Sequence, residues 1–216
     1  MTPFIGRPRS LLVIAPHPDD ETIGAHALMT RLRRRGVPVK VVVVSDGAGS
    51  HRTSPKWPTP RLVRERRRET RMVLRRLGVG AGDIVFLDLP DGRLVDHAAS
   101  VRRGIARAAA AAVKPALALS SSMSDDHPDH RVVARQARRQ AHLRWLTYPV
   151  WPIHSHPRGA RAMPLTAQER SAKRRAVISY RTQAGRITDD PEGFSMSSRQ
   201  IAAFSGPQER FMEARR

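Results

Sequence analysis

Two short stretches of this chain concentrate groups that bind metals and move protons. The first is Pro16-His17-Pro18-Asp19-Asp20-Glu21, and the second is Asp125-Asp126-His127-Pro128-Asp129-His130. Together they offer three histidines and six carboxylates. Burying that much charge without a partner is costly, and a divalent cation would balance it. A hydrolytic metal site takes three N or O ligands and leaves one position for water, whose pKa the ion lowers towards about 7. His17 and Asp20 are three residues apart, close to one helical turn, so both can face one point. His130, in the first turn of a helix, can complete the set. Asp19 would then stand beside the water as general base, with His127 as an acid or an oxyanion stabiliser. Spacing alone leaves the division between ligands and catalysts open. Asp125 and Asp126 read as helix caps or loop residues, and Glu21 as a helix-start residue that supports the loop.

Both stretches follow a short apolar run and open a helical pattern. The run at 11–15 reads as a buried strand, 22–35 as a helix stopped by Gly36, and 37–44 as a second strand with the β-branched content of a parallel sheet. This spacing is that of a βαβ crossover. A loop over 45–60 leads to a helix at 61–77, a strand at 83–89, a helix at 98–113 and a strand at 116–120. The second motif and a helix over 131–144 follow. From about 145 the chain reads as less regular and proline-rich, with a helix at 166–181 and a short one at 199–204. The expectation is an α/β fold with a mostly parallel sheet flanked by helices, spanning 1–216 as one domain. In such sheets ligands bind at the carboxyl ends of the strands, where both motifs would meet.

Composition narrows the classes. No cysteine is present, so disulfides and thiolate metal sites are excluded and a metal must be held by His, Asp or Glu. No apolar run is long enough for a transmembrane helix, and residues 1–10 lack a signal-peptide layout; a cytoplasmic protein is expected. The 39 basic residues outnumber 19 acidic ones, for a net charge of +20. That charge is dominated by arginine and spread over several helices, which reads as solvated basic faces rather than a nucleic-acid site; nucleic acid binding is the rival reading. Ten aromatics form no visible stacking platform; Trp57, Trp145 and Trp151 can stack on a ligand or pack in the core. His51, His97, His142, His154 and His156 are expected as solvated loop residues.

The two motifs resemble the signatures of the PIG-L/LmbE-like zinc deacetylases. Ser45-Asp46-Gly47, Arg66-x-x-Glu69, Leu89-Pro90-Asp91-Gly92 and Lys173…Tyr180-x-x-Gln183 extend the likeness over roughly residues 10–185. The resemblance implies a Rossmann-like fold and removal of an N-acetyl group from an N-acetylglucosamine-type sugar or glycoconjugate. A deacylase of a non-sugar amide is the alternative, and a homo-oligomer is left open. The resemblance further implies His17, Asp20 and His130 as ligands of zinc, with iron as another divalent candidate. It makes Asp19 the general base, His127 the general acid and Asp129 the residue that orients His127. Arg66 and Asp91 would hold sugar hydroxyls or an anionic part of the substrate. The chain departs from the family at Gly24-Ala25-His26-Ala27, where His26 is expected to narrow the pocket or point into solvent. The segment 120–124 is smaller and more polar than in many members.

Overall fold

The apolar run before the first motif forms β1 (Ser10–Ala15), buried along its whole length. The structure is a computed structural model and describes residues 3–140, 142–153 and 158–214. Parallel neighbours flank β1 on both sides: β2 (Val39–Ser45), with Val13 opposite Val41, and β4 (Ala116–Ser121), with Val13 opposite Leu119. With β3 (Ile84–Leu89), β5 (Arg144–Tyr148), β6 (Arg161–Pro164) and β7 (Gln208–Glu213), the sheet runs β3-β2-β1-β4-β5-β7-β6. The first five strands are parallel, and β7 is antiparallel to both β5 and β6.

Side chains of β1 alternate between two cores, as a strand covered on both faces must. Leu11, Val13 and Ala15 pack with α1 (Asp20–Arg33), with Leu74 of α2 (Thr59–Arg76) and with Phe204 of α6 (Ser198–Phe204). Leu12 and Ile14 pack with Val101 and Ile105 of α3 (Ala98–Ala110) and with Val132 and Val133 of α4 (Pro128–Arg138). β1 and β4 are adjacent although β2 and β3 intervene in the chain. The strand order reverses there, and the loops after β1 and β4 open one crevice at the carboxyl edge. Both motifs lie in those loops.

Two boundaries differ from expectation. The helix expected over 131–144 ends at Arg138, and Arg144 begins β5. The part from 145, expected to be irregular, supplies most of β5 and all of β6 and β7. Trp145 to Tyr148 are buried in succession, so their run has no alternation to betray it. In β7 the buried face includes Glu209, which is neutralised by Lys173 of α5 (Ala167–Ile178) at 2.9 Å. That glutamate also accepts the N–H groups of Ala27 and Leu28, repairing α1 where Ala25 leaves helical geometry. Beside this break His26 is buried and lies off the cavity, so it neither narrows the pocket nor reaches solvent. Burial, and next the Lys173 charge, push its imidazole down to about 4. Gly24 sits against Tyr148, and a Cβ there would meet the ring at 2.2 Å. His154 and His156 lie outside the described residues.

Candidate active site and metal centre

The loop after β1 turns sharply into α1, and the turn falls on Asp19, whose φ of 125° is rare for a residue with a side chain. Such strain persists where surrounding groups fix it. Arg66 of α2 donates to the carbonyls of Pro18 and Gly47, both at 2.8 Å, and its Nη2 lies 3.4 Å from Asp19 Oδ2. Glu21 accepts the Asp19 N–H at 3.2 Å, and the Tyr180 hydroxyl and Thr22 Oγ1 donate to Glu21. Gly47, at φ 72°, allows the close approach, because a Cβ would lie 2.7 Å from Arg66 Nη1. Burial pushes the Asp19 carboxyl well above its usual range, against the opposing pull of Arg66. Burial likewise raises Glu21 to about 7, against the hydrogen bond from Tyr180.

His17 Nδ1, Asp20 Oδ2 and His130 Nε2 converge. Their mutual distances are 3.2 Å (His17 to Asp20), 3.1 Å (His17 to His130) and 3.2 Å (His130 to Asp20). Tetrahedral bonds of about 2.0–2.1 Å would separate ligand atoms by roughly 3.3 Å, so this triangle fits the face of a four-coordinate divalent ion. All three residues are buried. His17 also belongs to two looser donor groups, one with His127 and His130 and one with Asp91 and Asp129, whose atoms lie within 4.8 Å. The first triangle is the tightest and presents both nitrogen and oxygen.

The outer contacts aim these donor atoms. His17 Nε2 lies 3.1 Å from Asp91 Oδ1 and 3.4 Å from Asp129 Oδ2, which directs Nδ1 into the triangle. His130 Nδ1 lies 3.1 Å from Asp125 Oδ2, which leaves Nε2 for the centre. Burial opposes charge on both rings. The carboxylates win, raising His17 well above its ordinary value through Asp91, Asp129 and Asp20, and His130 to about 9, chiefly through Asp20. Asp20 stays far below the usual carboxylate range, because the His130 and His17 charges outweigh burial. That negative field is one a dication would satisfy.

The remaining expected residues surround this centre. The Asp91 carboxylate accepts the Gly49 N–H at 2.9 Å and lies against His17. Asp129 accepts from Gly92 N–H at 2.8 Å and Leu94 N–H at 3.1 Å. No hydrogen bond joins its carboxylate to His127 among the described residues; instead, His127 Nδ1 accepts the Asp129 backbone N–H at 3.2 Å as the N-cap of α4. The ring hydrogen is thereby assigned to Nε2. Burial, then the charges of His17 and His130, lower His127 to about 4. Arg66 is buried.

The reach of Asp125 goes beyond the cap or loop role expected of it. It is buried, accepts from His127, Val150 and Trp151 N–H groups at 3.0–3.2 Å, and contacts His130. Its lead over His130 by five residues carried no signal of that contact. His51, expected in solvent, is buried against Gly193, whereas His97 is half-buried and His142 exposed. Trp145 packs in the core, and Trp57 lies with Leu62 and Ile187. Trp151 lines a cavity of about 710 Å³ that also receives His17, Asp19, Asp91, His127 and Gln183.

A family profile described as GlcNAc-PI de-N-acetylase, PIG-L, matches residues 12–141. A search of curated protein sequences found no match. Among solved structures, the chain is similar to a teicoplanin deacetylase, Orf2, described as its zinc-inhibited form. The identity is 20%, the TM-score 0.68, and 94% of this chain and 96% of that one are covered. It is similar to Dbv21, a deacetylase of the A40926 pseudoaglycone, at 23% identity and TM-score 0.68, covering 94% and 96%. It is also similar to the N,N'-diacetylchitobiose deacetylase of Pyrococcus horikoshii, at 20% identity and TM-score 0.63, covering 84% and 72%. At these identities the likeness establishes the shared α/β fold.

Proposed function

The chain belongs to the PIG-L family of deacetylases, and from that membership we propose that it is a metal-dependent N-deacetylase acting on an N-acetylglucosamine-type sugar or glycoconjugate. The observation that carries this reading is the His17–Asp20–His130 triangle, with Asp19 and His127 facing the same cavity. A divalent ion on those three ligands would polarise the amide carbonyl and lower the pKa of water. A nitrogen and oxygen donor set without thiolate suits zinc, with iron as the other candidate. The sheet runs without a break from the matched segment into β5 and β7, which supports reading 1–216 as one domain. We place the enzyme in the cytoplasm on its lack of cysteine; among the described residues no helix is long and apolar enough to cross a membrane.

Asp19 is the base. It takes a proton from the attacking water, and burial suits it to hold that proton. His127 presents Nε2–H to the carbonyl oxygen as negative charge develops there. The charged imidazolium would need a hydrogen on Nδ1, where the Asp129 N–H already points. We therefore assign return of the proton to the leaving nitrogen to Asp19. The bond from carbonyl carbon to nitrogen breaks, giving acetate and a free amine. Asp129 acts through its backbone on His127 and through its carboxylate on His17, while Arg66 holds Asp19 in place. Asp91 stands at the cavity wall, where a sugar hydroxyl can reach it. The test is acetate release by the metal-loaded protein from N-acetylglucosamine, its glycosides and N-acetylated non-sugar amines. Release from the sugars, abolished by a chelator, is expected; release from the non-sugar amines alone would refute the sugar assignment.

A further inference from the structure

Between residues 61 and 76, every exposed position of α2 is an arginine: 61, 64, 68, 71, 75 and 76. The opposite side of the helix buries Leu62, Arg66, Glu69, Thr70, Val73 and Leu74. At 3.6 residues per turn, Arg61, Arg64, Arg68, Arg71 and Arg75 fall within an arc of about 80°, in a line about 21 Å long. Like charges three and four residues apart repel, and little on this face offsets them. Glu65 is shared between Arg68 and Arg186, and Asp88 pairs with Arg67. Arg64 and Arg75 have no partner among the described residues. A solvated helix face commonly alternates its charges; this one concentrates a single sign. A hollow of about 490 Å³ lies among Arg68, Arg71, Met72, Arg75 and Arg76, large enough for a phosphodiester headgroup.

The chemistry of the face selects among polyanions. Guanidinium groups pair with phosphate oxygens in a bidentate fork. Reading base edges also calls on side chains such as Asn or Gln, and every exposed position of the stripe is arginine. Stacking on single strands needs open aromatic rings. The rings beside the stripe are capped instead: Arg61 and Arg186 lie over Trp57 at 4.2 and 5.0 Å, and Arg71 lies over Phe86 at 4.9 Å. Among the described residues, no large apolar side chain of α2 is exposed, so nothing on the face would enter a bilayer core. A straight line of cations matches a plane of phosphates.

We propose that this face of α2 docks the protein electrostatically on an anionic phospholipid surface. Cytoplasmic leaflets carry the required negative potential. None of the five arginines lines the cavity that receives His17 and Asp19, so docking leaves that cavity uncovered and needs no assumption about the reaction.

Co-sedimentation with vesicles tests this, using phosphatidylcholine alone and an equimolar mixture with phosphatidylglycerol. The protein is expected to bind only the mixed vesicles. Release is expected as salt rises from about 0.1 to about 1 M, where the Debye length shrinks from about 10 to about 3 Å. An arginine near an anionic surface adds about fivefold to binding, so Arg64→Gln combined with Arg75→Gln should weaken it about twentyfold. Both positions are exposed and unpartnered, so the fold is retained. Arg102→Gln combined with Arg135→Gln removes the same charge from exposed positions of α3 and α4, across the sheet. That control should weaken binding by less than about threefold, because its charges lie beyond the screening distance. Equal weakening by the two pairs, or no binding to the mixed vesicles, would overturn the inference. So would tighter binding, per phosphate and at the same salt, of a random-sequence DNA duplex that the α2 pair abolishes; that result assigns the face to nucleic acid.

Discussion

Replacing Arg66 by methionine removes the guanidinium beside Asp19 while keeping most of the stem's volume. Arg66 donates to the Pro18 and Gly47 carbonyls at 2.8 Å, and its Nη2 lies 3.4 Å from Asp19 Oδ2. A unit charge pair at that separation interacts by about 5 kcal/mol at an effective dielectric constant of 20. Desolvation and the loss of two backbone hydrogen bonds cut into the usable part. An opposite charge this close typically depresses a carboxyl by about one to three pH units, and the Asp19 carboxyl already stands high because of burial. Losing the cation raises it further, so the ionised base appears only at higher pH. The acid limb of the kcat/KM profile for acetate release should move up by about one to three pH units, and activity at neutral pH should fall accordingly. Arg66→Lys should recover most of the limb position, because it keeps the charge, although it cannot reach both carbonyls. Met and Lys variants sharing an unmoved limb, with the loss confined to KM, would refute this and return Arg66 to substrate binding.

Other consequences follow from the same geometry. Asp19→Asn should lower kcat by about 10²–10⁴-fold while bound metal, measured by elemental analysis, stays near wild type. Gly24→Ala gains helix propensity, yet its Cβ would lie 2.2 Å from the Tyr148 ring, whose hydroxyl is tied to the Ile14 carbonyl at 2.8 Å. Urea unfolding should report a net loss of about 1–3 kcal/mol. Glu169 is held at about 2, below its ordinary 4.5, mainly by the hydrogen bond from Arg31. Its stabilisation is full above about 4.5 and is lost as pH falls through about 2. Glu169→Gln should therefore cost up to about 1 kcal/mol at neutral pH, and less as the acid range is entered.

Much of the centre was legible because chemistry and punctuation coincide in the chain. β1 is apolar from Leu11 to Ala15 and β2 nearly so, with Lys40 its one interior break, and each motif sits where an apolar run stops before a helix. His17, Asp20 and His130 could be paired on the assumption of a parallel sheet. What stayed hidden depends on contacts without a local signature. Asp125 looks like any N-terminal cap, and its meeting with His130 and the 150–151 backbone exists only after β5 is placed beside β4. β5 and β7 lack alternation because one is buried from Trp145 to Tyr148 and the other buries a charged pair. His51 reads as solvated in the sequence for the same reason, since the segment that covers it comes from around residue 193.

We propose that His17, Asp20 and His130 hold one divalent ion on which hydrolysis depends. It is tested by metal titration of the apo-protein, followed by calorimetry and acetate release in parallel, for the wild type and for His130→Ala and Asp20→Asn. The wild type is expected to bind one ion per chain with activity rising in step with occupancy, and each variant to lose both with the fold retained by circular dichroism. Stoichiometric metal binding in both variants, or full acetate release from the metal-free wild type, would contradict it.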